Sequence, residues 1–239
     1  MMPSLQGQTV LVIGGSAGMG LATARAARGA GAEAIITARN PERLERAASE
    51  IGARSAAFDA TDPAALERFF AELPGQVDHI FVTAGRPYYA PLAELELEPA
   101  GRSFDDHVWL AFRIAKLAQA KLRAGGTLTF IGGTGGRRPG IGLGPISVGT
   151  AALPAAVRTL ALELAPTRVN LIAPGFVDTS LSAELLGDGL DARREALAST
   201  LPIGRVVGPE DIAALAVHVM TNTALTGATF DIDGGQQLL

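Results

Sequence analysis

The chain has 239 residues, among them 29 glycines, 14 prolines and no cysteine; 48% are hydrophobic and 18% charged, too apolar a balance for a disordered tail. The missing cysteines exclude a disulfide framework, a thiolate metal site and a cysteine nucleophile, and His79, His107 and His218 show no zinc spacing. A formal net charge of −4 gives no reason to expect nucleic acid or an acidic membrane surface as partner, and no run approaches about 18 uninterrupted apolar residues.

In chain order, short β-branched runs alternate with Ala- and Leu-rich helical stretches. TVLVI at 9–13 is the first predicted strand. Its apolar run is four residues long and no Lys or Arg precedes it, so no signal peptide is expected and the chain reads as soluble and cytoplasmic. EAIITA at 33–38 and RSAAF at 54–58 follow, then DHIFVTA at 78–84, GTLTFI at 126–131, TRVNLIA at 167–173 and ATFDID at 228–233. Most are nearly continuous in apolar residues, as strands covered on both faces require. Helices fill the gaps. Asn40-Pro41 offers an N-cap followed by proline at the first helical position, and Gly52 can end that helix in the left-handed conformation. Asp62-Pro63 and Gly208-Pro209 repeat the start signal. Units of this length need right-handed crossovers, which gives a doubly wound α/β fold, a parallel sheet with helices on both faces. With no linker, repeat or low-complexity tract, residues 1–239 are expected to form one domain. The irregular stretches 86–97, 132–144 and 179–205 all follow carboxyl ends of strands, where ligands bind in such sheets.

Directly after the first strand comes Gly14-Gly15-Ser16-Ala17-Gly18-Met19-Gly20, opening a helix. The dinucleotide fingerprint G-x-G-x-x-G/A fits poorly, because Thr23 occupies its last small position; G-x-x-x-G-x-G, through Gly14, Gly18 and Gly20, does fit. Glycines there allow a tight turn and let backbone N–H groups and a helix N-terminus approach a pyrophosphate. A turn that merely packs helix on sheet is the plain alternative. At the end of the second strand an NAD site places Asp or Glu for the ribose hydroxyl, but Ala38 and Arg39 stand here. A guanidinium pairs with a 2′-phosphate and no carboxylate repels one, so NADP(H) is expected over NAD(H), unless Arg39 is only a solvated charge.

These segments resemble, in the same order, the short-chain dehydrogenase/reductase superfamily over nearly the whole chain. The glycine loop resembles that family's cofactor loop, and Asp59, followed by Ala60, its adenine-contacting aspartate. Thr83-Ala84-Gly85 is similar to the tail of its Asn-Asn-Ala-Gly segment, with Val82 and Thr83 in place of the asparagines. Pro174-Gly175-Phe176-Val177-Asp178-Thr179 resembles its Pro-Gly segment, whose backbone and threonine hold the nicotinamide carboxamide. Thr226-Gly227 through Asp233-Gly234-Gly235 resembles its last strand and C-terminal turn. The resemblance implies a Rossmann-like seven-stranded sheet of order 3-2-1-4-5-6-7, oxidoreductase activity on a small carbonyl or alcohol, and a homotetramer or homodimer.

It also implies a catalytic Asn, Ser, Tyr and Lys, and there the chain departs. The tyrosine moves the proton, a lysine one turn later lowers its pKa, and the serine orients the carbonyl. Aligned without gaps, Ile146 stands at the Tyr position, Thr150 at the Lys position and Gly133 at the Ser position, with Thr134 one residue off. Val108-Trp109-Leu110 resembles the family's Val-Asn-Leu, which puts Trp109 in place of the asparagine. The chain has only two lysines, Lys116 and Lys121, and two tyrosines, Tyr88 and Tyr89, so no register restores Y-x-x-x-K. Tyr88, Tyr89 and His107, the last beside Asp105 and Asp106, are the candidate substitute donors, though packing and solvation account for them as well. Arg137 and Arg138 could draw an acidic ligand, while Thr134 and Ser147 have no obvious base beside them. Two functions stay open: an NADP(H) oxidoreductase with a non-standard proton donor, or a catalytically silent NADP(H)-binding sensor or inert subunit of an assembly.

Overall fold

The computed structural model describes residues 4–138 and 140–239. Seven strands, β1 (Thr9–Ile13), β2 (Glu33–Ala38), β3 (Arg54–Ala57), β4 (Val77–Val82), β5 (Leu122–Ile131), β6 (Arg168–Pro174) and β7 (Thr229–Ile232), pair in parallel in the order β3-β2-β1-β4-β5-β6-β7. Between them run α1 (Gly18–Gly29), α2 (Pro41–Ile51), α3 (Pro63–Glu72), α4 (Leu97–Phe104), α5 (Leu110–Ala118), α6 (Gly144–Glu163), α7 (Ser180–Leu186), α8 (Leu190–Thr200) and α9 (Pro209–Thr221). This is a Rossmann-like sheet with the expected strand order.

The continuous apolar strands are explained by what lies on each side. Side chains alternate across a strand, so Leu11 and Ile13 enter one core with Ile80, Leu128, Ile114 and Val157, under α5 and α6. Val10 and Val12 enter the other with Ile36, Phe81, Ala24 and Ala216, under α1 and α9. Each fully buried Leu, Ile or Phe contributes about 1.5–3 kcal/mol, which makes the sheet a rigid base for the loops at its carboxyl edge. The helix signals act as expected. Asn40 Oδ1 accepts from the Arg43 amide at 2.8 Å, Gly52 ends α2 at φ +65°, and Asp62 Oδ1 accepts from Ala64 N at 2.9 Å.

The bounds of β3 to β7 differ from the sequence reading by one to four residues, and two of these differences have a visible cause. Phe58 leaves β3 and stacks on Phe69, ring centroids 4.7 Å apart. β5 starts at Leu122 rather than at residue 126, because Leu122 pairs with Val77 ahead of a register shift. Gly126 follows that shift, where a Cβ would stand 2.2 Å from the Asp78 carbonyl oxygen. One helix, α6, is by length and composition apolar enough to cross a membrane, although Ser147, Thr150 and Arg158 interrupt it; in the fold its Leu153, Val157 and Leu160 are buried in the core. Between α4 and α5 the helix continues through a single π turn, Asp105–Trp109. Such turns rotate the following side chains off the α-helical phase.

Candidate active site

The strand order reverses between β1 and β4, and a crevice opens outside their carboxyl ends. Its floor is the glycine loop. The Gly14 and Gly15 amides both donate to the Thr37 carbonyl, at 3.0 and 2.9 Å, and Thr83 Oγ1 donates to the Gly14 carbonyl at 2.9 Å. Gly14 holds φ +99°, and a Cβ on Gly20 would lie 2.1 Å from the Gly14 carbonyl oxygen, so neither position admits a side chain. Gly18, at φ +51°, would point a Cβ across the opening to Thr179 at 3.4 Å. The helix that follows is unlike its neighbours. Asn40 and Asp62 cap α2 and α3, whereas Ala17 gives α1 no side-chain cap and its first turn holds no acid. Its first N–H groups are therefore free to meet an anion.

A cleft of about 250 Å³ is lined by Gly14, Ser16, Ala17, Gly18, Met19, Gly20, Arg39, Asp59, Ala60, Ala84, Gly85 and Thr179, all named from the sequence. Pro174, Gly175 and Val177 stand outside its lining. A Cβ on Gly175 would meet Gln236 Oε1 at 2.4 Å, the Pro174 carbonyl accepts from Thr134 N at 3.0 Å, and Val177 bridges to Val207. They tie the start of the segment leading to Thr179 against the C-terminal turn. At the β2–β3 end, Arg39 and Arg43 are exposed and neither forms an ion pair among the described residues. Asp59 Oδ1 accepts from both Thr61 N and Thr61 Oγ1 at 2.9 Å. Asp106 lines the same cleft; desolvation raises its carboxyl pKa above the ordinary 3.8, and nearby Asp59 pushes it the same way. On the other side Arg86 and Glu184, both lining residues, form an ion pair of 2.7 Å between the loop after β4 and α7.

The remaining positions cluster where α6 meets the end of β5. A Cβ on Gly133 would lie 3.3 Å from the Thr150 methyl. Thr150, 5% exposed, donates its hydroxyl to the Ile146 carbonyl at 2.9 Å, and Ser147 donates to the Gly135 carbonyl at 2.9 Å. Trp109 turns outward: it is 50% exposed and packs on Phe112. The residue of the π turn that faces α6 is His107, whose Cβ is 3.9 Å from a Cβ built on Gly149. Its Nδ1 donates to the Ser103 carbonyl at 2.6 Å, and its Nε2 lies 3.5 Å from the Cβ position of Gly85. Tyr88 uses its phenol oxygen to accept from Glu96 N at 3.3 Å, at the start of α4. Burial of the Tyr89 phenol raises its pKa above 10.0, the wrong direction for a proton donor near neutrality. Arg137 pairs with Asp231, away from the cleft, and Arg138 does not line it. His79 lies elsewhere, buried in the sheet, its ring nitrogens 2.8 and 2.7 Å from Thr127 Oγ1 and Gln8 Oε1; desolvation lowers its pKa to about 4.

The sequence and the fold are both similar to those of known proteins. A family model described as enoyl-(acyl carrier protein) reductase matches residues 14–237. The short-chain dehydrogenase/reductase ATR9 of Stachybotrys chlorohalonatus is 32% identical, over 98% of this chain and 98% of its own length. The chain belongs to the short-chain dehydrogenase/reductase superfamily. Within that superfamily the structure of the MalC reductase/Diels-Alderase from Malbranchea aurantiaca superposes with a TM-score of 0.91, at 26% identity, over 98% of each chain. BdcA, solved in complex with NADPH, superposes with a TM-score of 0.86 at 28% identity, over 96% of this chain and 94% of its own.

In this short-chain dehydrogenase/reductase, several cleft-lining residues had no binding role in the sequence reading, among them Arg43, Thr83, Arg86, Asp106 and Glu184. Arg43 alone carried a usable signal. It stands four residues after Arg39, in the first turn of the helix that Asn40 caps.

Proposed function

We propose that this chain is an NADP(H)-binding oxidoreductase of the superfamily that works without the Tyr/Lys proton relay. The cofactor half rests on fit. The first turn of α1 has no side-chain cap, Gly20 leaves no room for a Cβ, and Arg39 and Arg43 stand free at the end where a 2′-phosphate would lie. The NADPH of the BdcA complex supports the same choice. Bound NADPH supplies the hydride; the chain's own residues hold it, exclude water and manage the proton. Thr179 is read as the wall on the nicotinamide side, with Pro174, Gly175 and Val177 holding the segment that leads to it.

One observation carries the other half. The α6 face opposite Gly133 offers Ile146 and a buried Thr150 whose hydroxyl is committed to the Ile146 carbonyl, so it presents neither a phenol nor an ammonium. Of the substitutes, His107 is the one whose ring reaches the cleft wall, at Gly85; Nδ1 is fixed as a donor, which leaves Nε2 as its working atom. General acid–base catalysis contributes about 10²–10⁴-fold, so ordinary ketones and aldehydes should be reduced slower by about that factor than by a relative with Tyr and Lys. Steady-state turnover with NADPH measures it. Several turnovers per second on a simple carbonyl, surviving Tyr88→Phe, Tyr89→Phe and His107→Ala, overturn the reading. Tight NADPH binding with no turnover of any carbonyl or alcohol makes the protein a sensor or an inert subunit instead. Trp109, Val148 and Leu162, exposed on the helical layer at 50, 61 and 82%, support a homodimer or homotetramer, which light scattering measures directly.

A further inference from the structure

Resting on the reading that the cleft takes NADP(H), we propose that Asp106 reads the purine of the cofactor, accepting from its exocyclic amino group and selecting a 6-amino over a 6-oxo base. Asp106 stands in the cleft wall with Asp59 and Thr61, at the end of the cleft that Arg39 marks. The glycine loop sits mid-cleft and the two arginines at the β2–β3 end, so the adenosine half of a dinucleotide lies between β3 and the π turn.

What makes Asp106 informative is that its acceptors are unused in the fold. Its carboxylate accepts no hydrogen bond among the described residues and is partly desolvated; Asp59 and Asp105 add like charge, which His107 and Arg39 offset only from a distance. A carboxylate so placed keeps hydrogen-bonding capacity that donors brought from outside can fill. An adenine amino group brings two N–H donors. Asp59 has spent Oδ1 on Thr61, which leaves Oδ2 for one of them, and Asp106 is the acceptor placed for the other. A 6-oxo purine turns a carbonyl oxygen toward the same two carboxylates and has a single N1–H beside it, so at most one of them is paired and the other meets acceptor with acceptor. Asp106 lines the cleft while His107 faces α6.

The test is titration calorimetry with two ligands, NADP⁺ and nicotinamide hypoxanthine dinucleotide phosphate, on the wild-type chain, Asp106→Asn and Asp106→Ala. Wild type should bind NADP⁺ at least about tenfold tighter, the range for hydrogen bonds to a charged group. Asp106→Ala should lower that ratio several-fold. Asp106→Asn, which keeps the shape and can turn its amide toward a carbonyl, should lower it at least as far; it also carries the test if the alanine variant fails to fold. A wild-type ratio near one, or a ratio unchanged within twofold in the variants, overturns the proposal while leaving NADP(H) binding intact. Failure of the wild type to bind either dinucleotide overturns the cofactor reading, and this one with it.

Discussion

The two ends of the site are built by different means. At the proposed cofactor end the scaffold is backbone, a glycine loop pinned to Thr37 and Thr83 and an uncapped helix start, with a few side chains at its rim. At the other end chemistry depends on side chains, and those present, Ile146, Thr150 and Ser147, satisfy only themselves or their own helix and loop. Backbone geometry survives most substitutions so long as its glycines remain, whereas a proton relay disappears with one change of side chain. A chain can therefore keep the dinucleotide seat of its superfamily while its reacting face drifts.

The sharpest way to break that comparison is at Gly18. Gly18→Val places a branched side chain at φ +51°, pointing across the opening toward Thr179. NADPH affinity should fall by about 100-fold or more, from strain and lost phosphate contacts together, with the far-ultraviolet circular dichroism unchanged. Fluorescence titration decides it; a folded variant with native affinity moves the nucleotide elsewhere. The opposite end is probed by adding the side chains that the proposed reading lacks. Gly133→Ser, Ile146→Tyr and Thr150→Lys together should raise carbonyl turnover by about tenfold or more. The gain has a steric limit, because a Cβ at residue 133 already meets the Thr150 methyl at 3.3 Å in the wild type. No change in turnover, with the triple variant folded and binding NADPH, argues that more than the relay has been lost.

A smaller effect is expected at the β2–β3 end. Arg39→Asp puts a carboxylate where a 2′-phosphate would lie, and the ratio of NADP(H) to NAD(H) affinity should fall by about 10- to 100-fold. Arg43→Ala should lower the same ratio about threefold, because Arg39 still supplies the planar fork. Calorimetry with both dinucleotides separates the two arginines. Equal affinities in the wild type would remove the argument for either.

How much of this was legible beforehand follows the same division. The sheet and the glycine loop were readable because apolar runs, caps and glycines are local signals, and the strand order came with the superfamily's motif order. Thr83 was not. Its hydroxyl matters only because β4 lies beside β1, 69 residues from Gly14 along the chain. Glu184 meets Arg86 across 98 residues, which no spacing rule anticipates. The π turn misled in a different way. Matching Val108-Trp109-Leu110 to a motif assumes an unbroken helical phase, and the wide turn over Asp105–Trp109 rotates Trp109 out and His107 in. Asp106 was visible as a charge, but its place in a nucleotide cleft needed that same rotation.

The smallest expected effect concerns an ion pair at the edge of the cleft. Arg86 and Glu184 join the loop after β4 to α7, and both line the cavity, so on the proposed reading they stand beside a bound dinucleotide. Their side chains are 49 and 60% exposed, and an ion pair so placed is worth roughly 0–1 kcal/mol. Arg86→Ala should therefore speed NADPH release by no more than about fivefold, while association, governed by the glycine loop and the arginines, stays within twofold. Stopped-flow displacement measures both rates. Salt gives an internal control: raising ionic strength screens the exposed pair, so wild-type release should approach that of the variant, whose own release changes less. Release that is identical in the two proteins at low salt would mean that α7 is held by its packing and by the Thr179–Ser182 capping box instead.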